Sequence, residues 1–236
     1  MKLTVLGPGC WGLTIAKLLN NNFDEICVWG REQDLTPMLV NEKRIEKPLE
    51  ISLDKKVEIT SDLAFALNGA EIILLVVATS GIRNVCEQIK KIGLKDNQIL
   101  VNLSKGIELP SLKRMSEVIE EVLPDINLAV LSGPTLAREI VEGCPTLATI
   151  ASKDMEVAKK VQEALSVPSL FRLYTNSDII GVELGGSLKN VIAIASGFAH
   201  SMGLGDNLRG SLLTRGMAEM VRVGVALGAK AQTLYG

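Results

Sequence analysis

Leu3-Thr4-Val5-Leu6-Gly7-Pro8-Gly9-Cys10-Trp11-Gly12-Leu13-Thr14-Ile15-Ala16-Lys17-Leu18-Leu19 is the stretch that decides the fold. Leu3 to Leu6 reads as a buried strand, Trp11 to Asn20 as a helix, and Gly7-Pro8-Gly9-Cys10-Trp11-Gly12 between them fits G-x-G-x-x-G. In that setting Gly7 permits the tight turn, Gly9 lets backbone approach a pyrophosphate, and Gly12 permits close helix packing. The free amides at the helix start attract the anion. Taken alone, the glycines would also suit a purely structural turn; the flanking strand and helix are what favour a phosphate site.

Working outward, Ile26 to Trp29, Ile72 to Val77, Ile99 to Leu103 and Leu128 to Leu131 are further continuous apolar runs, with Thr146 to Ala151 and Phe171 to Tyr174 as two more strands. Continuous runs separated by room for crossover helices imply parallel strands covered on both faces. Ile82 to Lys91 and Leu112 to Leu123 read as helices, the latter ended by Pro124. After Asn176 the texture becomes helical: Val182, Leu184, Leu188 and Val191 to Ala195, then Leu212 to Leu227. The first of these segments is apolar nearly all round and is expected to be buried on every side. The expected class is therefore α/β: a Rossmann-like doubly wound sheet over residues 1–176, followed over 177–236 by the beginning of an all-α C-terminal domain. Two long helices are too few to enclose a core alone, so that part is expected to lean on a partner or on further sequence.

Composition narrows the chemistry. With 25 Lys and Arg against 27 Asp and Glu, the net charge of −2 supplies no general pull toward nucleic acid or anionic membrane. A small-molecule ligand and a local phosphate site are expected. Cys10, Cys27, Cys86 and Cys144 are widely spread, form no C-x-x-C pair, and have only His200 to complete a metal set, so no metal site is expected. Free thiols and an opening strand in place of a leader suggest the cytoplasm. The apolar run Val191 to Ala199 is too short to span a bilayer, so no membrane insertion is expected.

Individual residues suggest the rest. Arg31 ends the second strand, where an acidic residue usually receives the ribose 2′-hydroxyl of NAD. A guanidinium pairs with a 2′-phosphate, which leans toward NADP, while the adjacent Glu32 leaves NAD usable. Arg31 would equally suit a solvated loop. Lys105, in Ser104-Lys105-Gly106-Ile107-Glu108, puts a cation at the carboxyl edge of the sheet, where it would stabilise a ligand oxygen or phosphate or else be a solvated turn lysine. Ser132-Gly133-Pro134-Thr135 suits close backbone approach to a ligand and also routine turn chemistry. Lys189, in Glu183-Leu184-Gly185-Gly186-Ser187-Leu188-Lys189-Asn190, is a cation in an apolar helix; desolvation would bring it toward neutral-pH proton exchange. Such a lysine would equally pair with Glu183 or snorkel to the surface. Trp11 suits the cofactor or the core, His200 lacks an orienting partner, and the cysteines read as small hydrophobes.

Together with Trp29-Gly30-Arg31 and Thr214-Arg215-Gly216-Met217-Ala218-Glu219-Met220, these blocks resemble bacterial-type NAD(P)-dependent glycerol-3-phosphate dehydrogenase along the whole chain. The resemblance implies reversible hydride transfer between dihydroxyacetone phosphate and sn-glycerol 3-phosphate, serving phospholipid synthesis, with NADP or NAD as cofactor and a homodimer. By similarity Lys189 is the acid/base. Gly7, Gly9, Cys10, Trp11, Gly12, Arg31 and Ala137 would contact the cofactor, Lys105 both cofactor and substrate, and Gly133, Thr135 and Lys189 the substrate.

Cys10 and Ala78 depart slightly from the family pattern. The family also continues, beyond the position of Gly236, into a Gly-Leu-Gly-Asp turn and an Arg-Asn pair that bind substrate. The expectation for this chain is an intact dinucleotide site with weak or absent turnover. Another dehydrogenase with a Rossmann domain followed by helices, or a non-catalytic dinucleotide-binding module, stands as the alternative.

Overall fold

A computed structural model describes residues 1–109 and 111–235. Five parallel strands form the first part of the sheet: β1 (Lys2–Leu6), β2 (Glu25–Trp29), β5 (Glu58–Thr60), β6 (Ile72–Leu75) and β7 (Ile99–Asn102). A small antiparallel pair, β3 (Arg44–Ile45) and β4 (Ile51–Ser52), sits in the connection before β5. The sheet is completed by β8 (Asn127–Ser132), β9 (Thr146–Ala151) and β10 (Phe171–Asn176), in the order β10-β9-β8-β7-β6-β1-β2-β5. β9 runs antiparallel to β8, with Leu131 opposite Ile150, so the sheet is mixed rather than wholly parallel. The link from β8 to β9 holds only the short α6 (Ala137–Val141), too little for a crossover, and the chain returns instead as a hairpin-like antiparallel neighbour.

Alternate side chains of each strand enter two apolar layers, as both-face burial requires. Leu3, Val5, Val28, Leu74, Val101 and Leu131 share one layer with Leu13 and Ile15 of α1 (Cys10–Leu18) and Val161 of α7 (Met155–Leu165). Leu6, Trp29, Ile73, Leu75 and Leu100 share the other with helices α3 (Leu63–Leu67), α4 (Thr79–Ile92) and α5 (Met115–Val122). α2 (Pro37–Glu42) precedes β3. The expected helix from Leu112 starts only at Met115: Leu112 takes a left-handed φ of 58°, and Arg114 caps the helix by donating its amide to Glu117. Residue 110, just before that stretch, lies outside the described residues.

The helical part consists of α8 (Ile179–Ser201), α9 (Gly205–Ala226) and α10 (Ala231–Tyr235). Asp178 caps α8 by accepting from the Gly181 amide at 2.9 Å, and its other oxygen accepts from the Lys230 amide at 2.8 Å, tying both ends of the helical part together. Ile179 and Val182 pack on Val130 and Ala151 of the sheet, and Leu184 packs on Ala229 and Leu234. Burial on every side does not hold for α8: Val191, Ile194 and Phe198 are 69%, 73% and 65% exposed. Only its first half meets the sheet, and the two partner helices cannot cover the rest. With 23 residues, α8 also exceeds the short apolar run that seemed unable to span a bilayer; by length and composition it passes that test, yet its first half is built into the protein core.

Candidate active site

The order of the sheet reverses at β1, which has β2 on one side and β6 on the other. A crevice therefore opens at the carboxyl ends of these strands, where doubly wound folds bind ligands. A cleft of about 700 Å³ occupies it, lined by Gly7, Pro8 and Gly9, by Gly30, Arg31 and Asp34 after β2, and by Val76 to Ala78 with Ser80, Asn84 and Gln88 on the opposite wall.

The glycine turn is shaped for this cleft. Gly7 has φ +124°, and a Cβ there would stand 2.7 Å from the Val76 carbonyl oxygen. A Cβ on Gly12 would stand 2.0 Å from the Gly7 carbonyl oxygen, so only glycine lets α1 start this close to the strand. Gly9, by contrast, faces open space and bears no side-chain cap. The first intrahelical bond of α1 is Leu13 N–H to the Gly9 carbonyl, which leaves the amides of Cys10, Trp11 and Gly12 without helical acceptors and available to an anion. α4 likewise begins without a side-chain cap, at Ala78 on the far wall. A crevice with a backbone cradle and two such helix starts fits a dinucleotide.

Beside it lies a hollow of about 360 Å³ bounded by Trp11, Val76 to Ala78, Leu103, Ser104, Lys105 and Thr135. Here the expected residues of two strand ends and one helix meet. Lys105 Nζ donates to the Gly133 carbonyl at 2.9 Å and to Thr135 Oγ1 at 3.0 Å, and Lys189 Nζ donates to the same Gly133 carbonyl at 2.6 Å. Lys189 is half-buried, less enclosed than the apolar helix implied. Burial pushes the Lys105 ammonium down to about 8, with the Lys189 charge adding to it; burial lowers Lys189 as well. A Cβ on Gly133 would stand 2.9 Å from the Leu147 carbonyl oxygen and the Ala148 Cα, and one on Gly186 would stand 2.2 Å from Ser132 Oγ, so two glycines let β8, β9 and α8 converge at this point. Cys10 is the first residue of α1, half-buried, its thiol pushed up by burial. Ala137 opens α6, half-buried, in a helix that packs beside α1.

Lys189 does not pair with Glu183. That carboxylate turns to the other side of α8, where it accepts from Arg114 Nη1 at 2.7 Å, the Ser116 amide at 2.8 Å and Ser116 Oγ at 2.6 Å. Sequence reasoning missed this buried cluster because its members are 67 and 69 positions apart and nothing local links them. It also missed Arg83, which grips Glu108 through two bonds of 2.9 and 2.8 Å and holds that carboxyl down at about 2. Glu108 and Arg114 flank one loop, so the segment carrying Lys105 is pinned to α4 at one point and to α8 at another. Asp34 was missed too, although it stands only three positions beyond Arg31. His200 lies at the exposed end of α8, away from this constellation.

Residues 2–158 match the NAD-dependent glycerol-3-phosphate dehydrogenase N-terminus and residues 178–236 match the corresponding C-terminus. The chain is 43% identical over 236 residues to the NAD(P)+ glycerol-3-phosphate dehydrogenase of Thermoanaerobacter sp. (strain X514), and 41% identical to that of Clostridium perfringens (strain SM101 / Type A). All of this chain and 71% of each relative are covered. The 2.1 Å crystal structure of glycerol-3-phosphate dehydrogenase from Coxiella burnetii superposes with a TM-score of 0.89 at 32% identity, covering 100% of this chain and 72% of that one. The family replaces the alternative of another dehydrogenase class: this chain belongs to the NAD-dependent glycerol-3-phosphate dehydrogenases.

Proposed function

We propose that this chain catalyses reversible hydride transfer between NAD(P)H and dihydroxyacetone phosphate, giving sn-glycerol 3-phosphate for phospholipid synthesis. The observation that carries the reading is the convergence of the Lys105 and Lys189 ammonium groups on the Gly133 carbonyl, beside a cleft shaped for a dinucleotide. When bound, NAD(P)H supplies the hydride. Lys189 gives a proton to the substrate carbonyl oxygen as negative charge develops on it, so the ketone gains one hydride and one proton and becomes the alcohol. Lys105 adds electrostatic stabilisation from a desolvated position, where a charge acts more strongly than in water.

In the same reading Gly133 and Thr135 position the substrate with Lys105. Gly7, Gly9 and Gly12 shape the pyrophosphate turn, Cys10, Trp11 and Ala137 contact the cofactor, and Arg31 meets the 2′-phosphate of NADP. We place the boundary between the cofactor domain and the helical part at residues 176/177. The cytoplasm is the compartment this chemistry suits. The exposed apolar face of α8 and α9 suits a second copy of the chain, a homodimer that sedimentation at two concentrations would reveal and that a monomer at both would remove.

The test is substrate dependence, followed as loss of nicotinamide absorbance. Dihydroxyacetone phosphate should support oxidation of NADPH with a kcat/KM at least ~100-fold above that of unphosphorylated dihydroxyacetone, because the phosphate gives up its binding energy if removed. Equal use of the two ketones would refute the assignment of the lysine pair to a phosphorylated substrate. Binding of nucleotide with no oxidation by either ketone would favour a dinucleotide-binding module.

A further inference from the structure

Arg31 already holds a carboxylate partner at the cleft wall. Its Nε donates to Asp34 Oδ2 at 2.7 Å and its Nη2 to Asp34 Oδ1 at 2.9 Å, so one whole edge of the guanidinium is taken by a carboxylate. Both residues line the cleft beside Gly30, on the wall that follows β2. The pair is local and exposed. Arg31 ends the extended backbone at φ −67°, ψ 152° and caps the 3₁₀ turn Glu32–Asp34, which brings position 34 back beside position 31. The side chains are 63% and 31% exposed, so solvent screens the pair and a ligand can rearrange it. Glu32, the acidic residue that adjacency singles out, is exposed and does not line the cleft; Asp34 does.

We propose that Asp34 is the residue that sets the cofactor preference of this enzyme, by occupying the Arg31 fork that a 2′-phosphate needs and by offering a carboxylate to a 2′-hydroxyl. The inference rests on the reading that Arg31 receives the 2′-phosphate. NADPH must displace Asp34 from the guanidinium edge or bind the remaining N–H groups with a second anion close by, and either route costs affinity. The ribose of NADH carries a hydroxyl that donates to the carboxylate without disturbing the ion pair. The same two side chains thus hold the two nucleotides nearer parity than Arg31 alone would.

The experiment is titration of wild type, Asp34→Asn, Arg31→Ala and the double variant with NADPH and with NADH, read by quenching of the two tryptophans, Trp29 lining this cleft and Trp11 the adjoining hollow. Asp34→Asn should shift the ratio of the two dissociation constants about tenfold toward NADPH, through tighter NADPH binding and weaker NADH binding. In the Arg31→Ala background the same change should lose its effect on NADPH. A ratio that stays within about twofold of wild type in Asp34→Asn, or moves toward NADH, overturns the inference. Arg31→Ala then separates the causes: weakened NADPH binding in that variant leaves the Arg31 reading standing and removes only the role of Asp34, whereas unchanged NADPH binding removes both.

Discussion

Two ammonium groups sharing one carbonyl oxygen is an arrangement with a cost, since each is partly desolvated and each repels the other. The effect on stability has a definite sign. Lys105 ordinarily holds its proton to 10.5 and in the folded chain only to about 8. Between these values the unfolded chain binds more protons than the folded one, so raising the pH favours folding; below about 8 both states are charged and the penalty is present in full. Urea unfolding of wild type and Lys105→Met at pH 7.5 and 9.5 should therefore show wild type gaining midpoint relative to the variant at the higher pH. A difference that stays constant would mean that Lys105 is not destabilised as a cation in the fold. The lysines were legible in sequence as candidate chemistry, but their common acceptor was not, because a backbone carbonyl has no signature in the residue alphabet. Arg31 was legible in the same limited sense: its position was informative, while its partner Asp34 depended on a 3₁₀ turn too short to show in hydrophobic periodicity.

At the scale of elements, strands β1, β2, β6, β7 and β8 followed directly from aliphatic runs, since burial on both faces leaves no polar alternation to blur the signal. The antiparallel return of β9 did not follow, because strand direction is set by the length and path of the connection and not by the strand's own residues. α8 was found as a helix, and its register against the sheet came only from structure. Glu183 and Lys189 lie six residues apart on it, about a turn and two thirds, so the clasp of Glu183 to Arg114 and Ser116 fixes the rotation at which Lys189 reaches Gly133. Replacing Arg114 with Met leaves a buried carboxylate without its cation, and the expected cost is about 3–5 kcal/mol in urea unfolding. The same variant should reduce kcat with a smaller effect on nucleotide affinity, since no described residue lining the dinucleotide cleft comes from α8. Loss of less than about 1 kcal/mol would show that Ser116 alone holds the helix.

Across the whole molecule, one sheet edge gathers the groups proposed for the reaction: a backbone cradle from the first strand, Arg31 from the second, Lys105 from the strand beyond β6, Gly133 and Thr135 from the next, and Lys189 from the helix packed over it. The glycine turn made the cofactor half of this edge readable from the first twelve residues, because steric demands at a phosphate leave few residues to choose from. The substrate half needed the fold, being assembled from residues between 105 and 189. The apolar face of α8 and α9 left open around Val191, Ile194 and Phe198 was misread as core, since an all-round apolar helix looks the same whether covered by its own chain or by another surface. Single-turnover mixing of the NADPH-loaded chain with dihydroxyacetone phosphate, wild type against Lys189→Met, asks whether Lys189 supplies the proton for ketone reduction. Wild type should oxidise NADPH, and the variant should do so at a rate at least ~100-fold lower, with NADPH affinity within about twofold of wild type; equal rates in the two proteins would mean that the proton comes from another group.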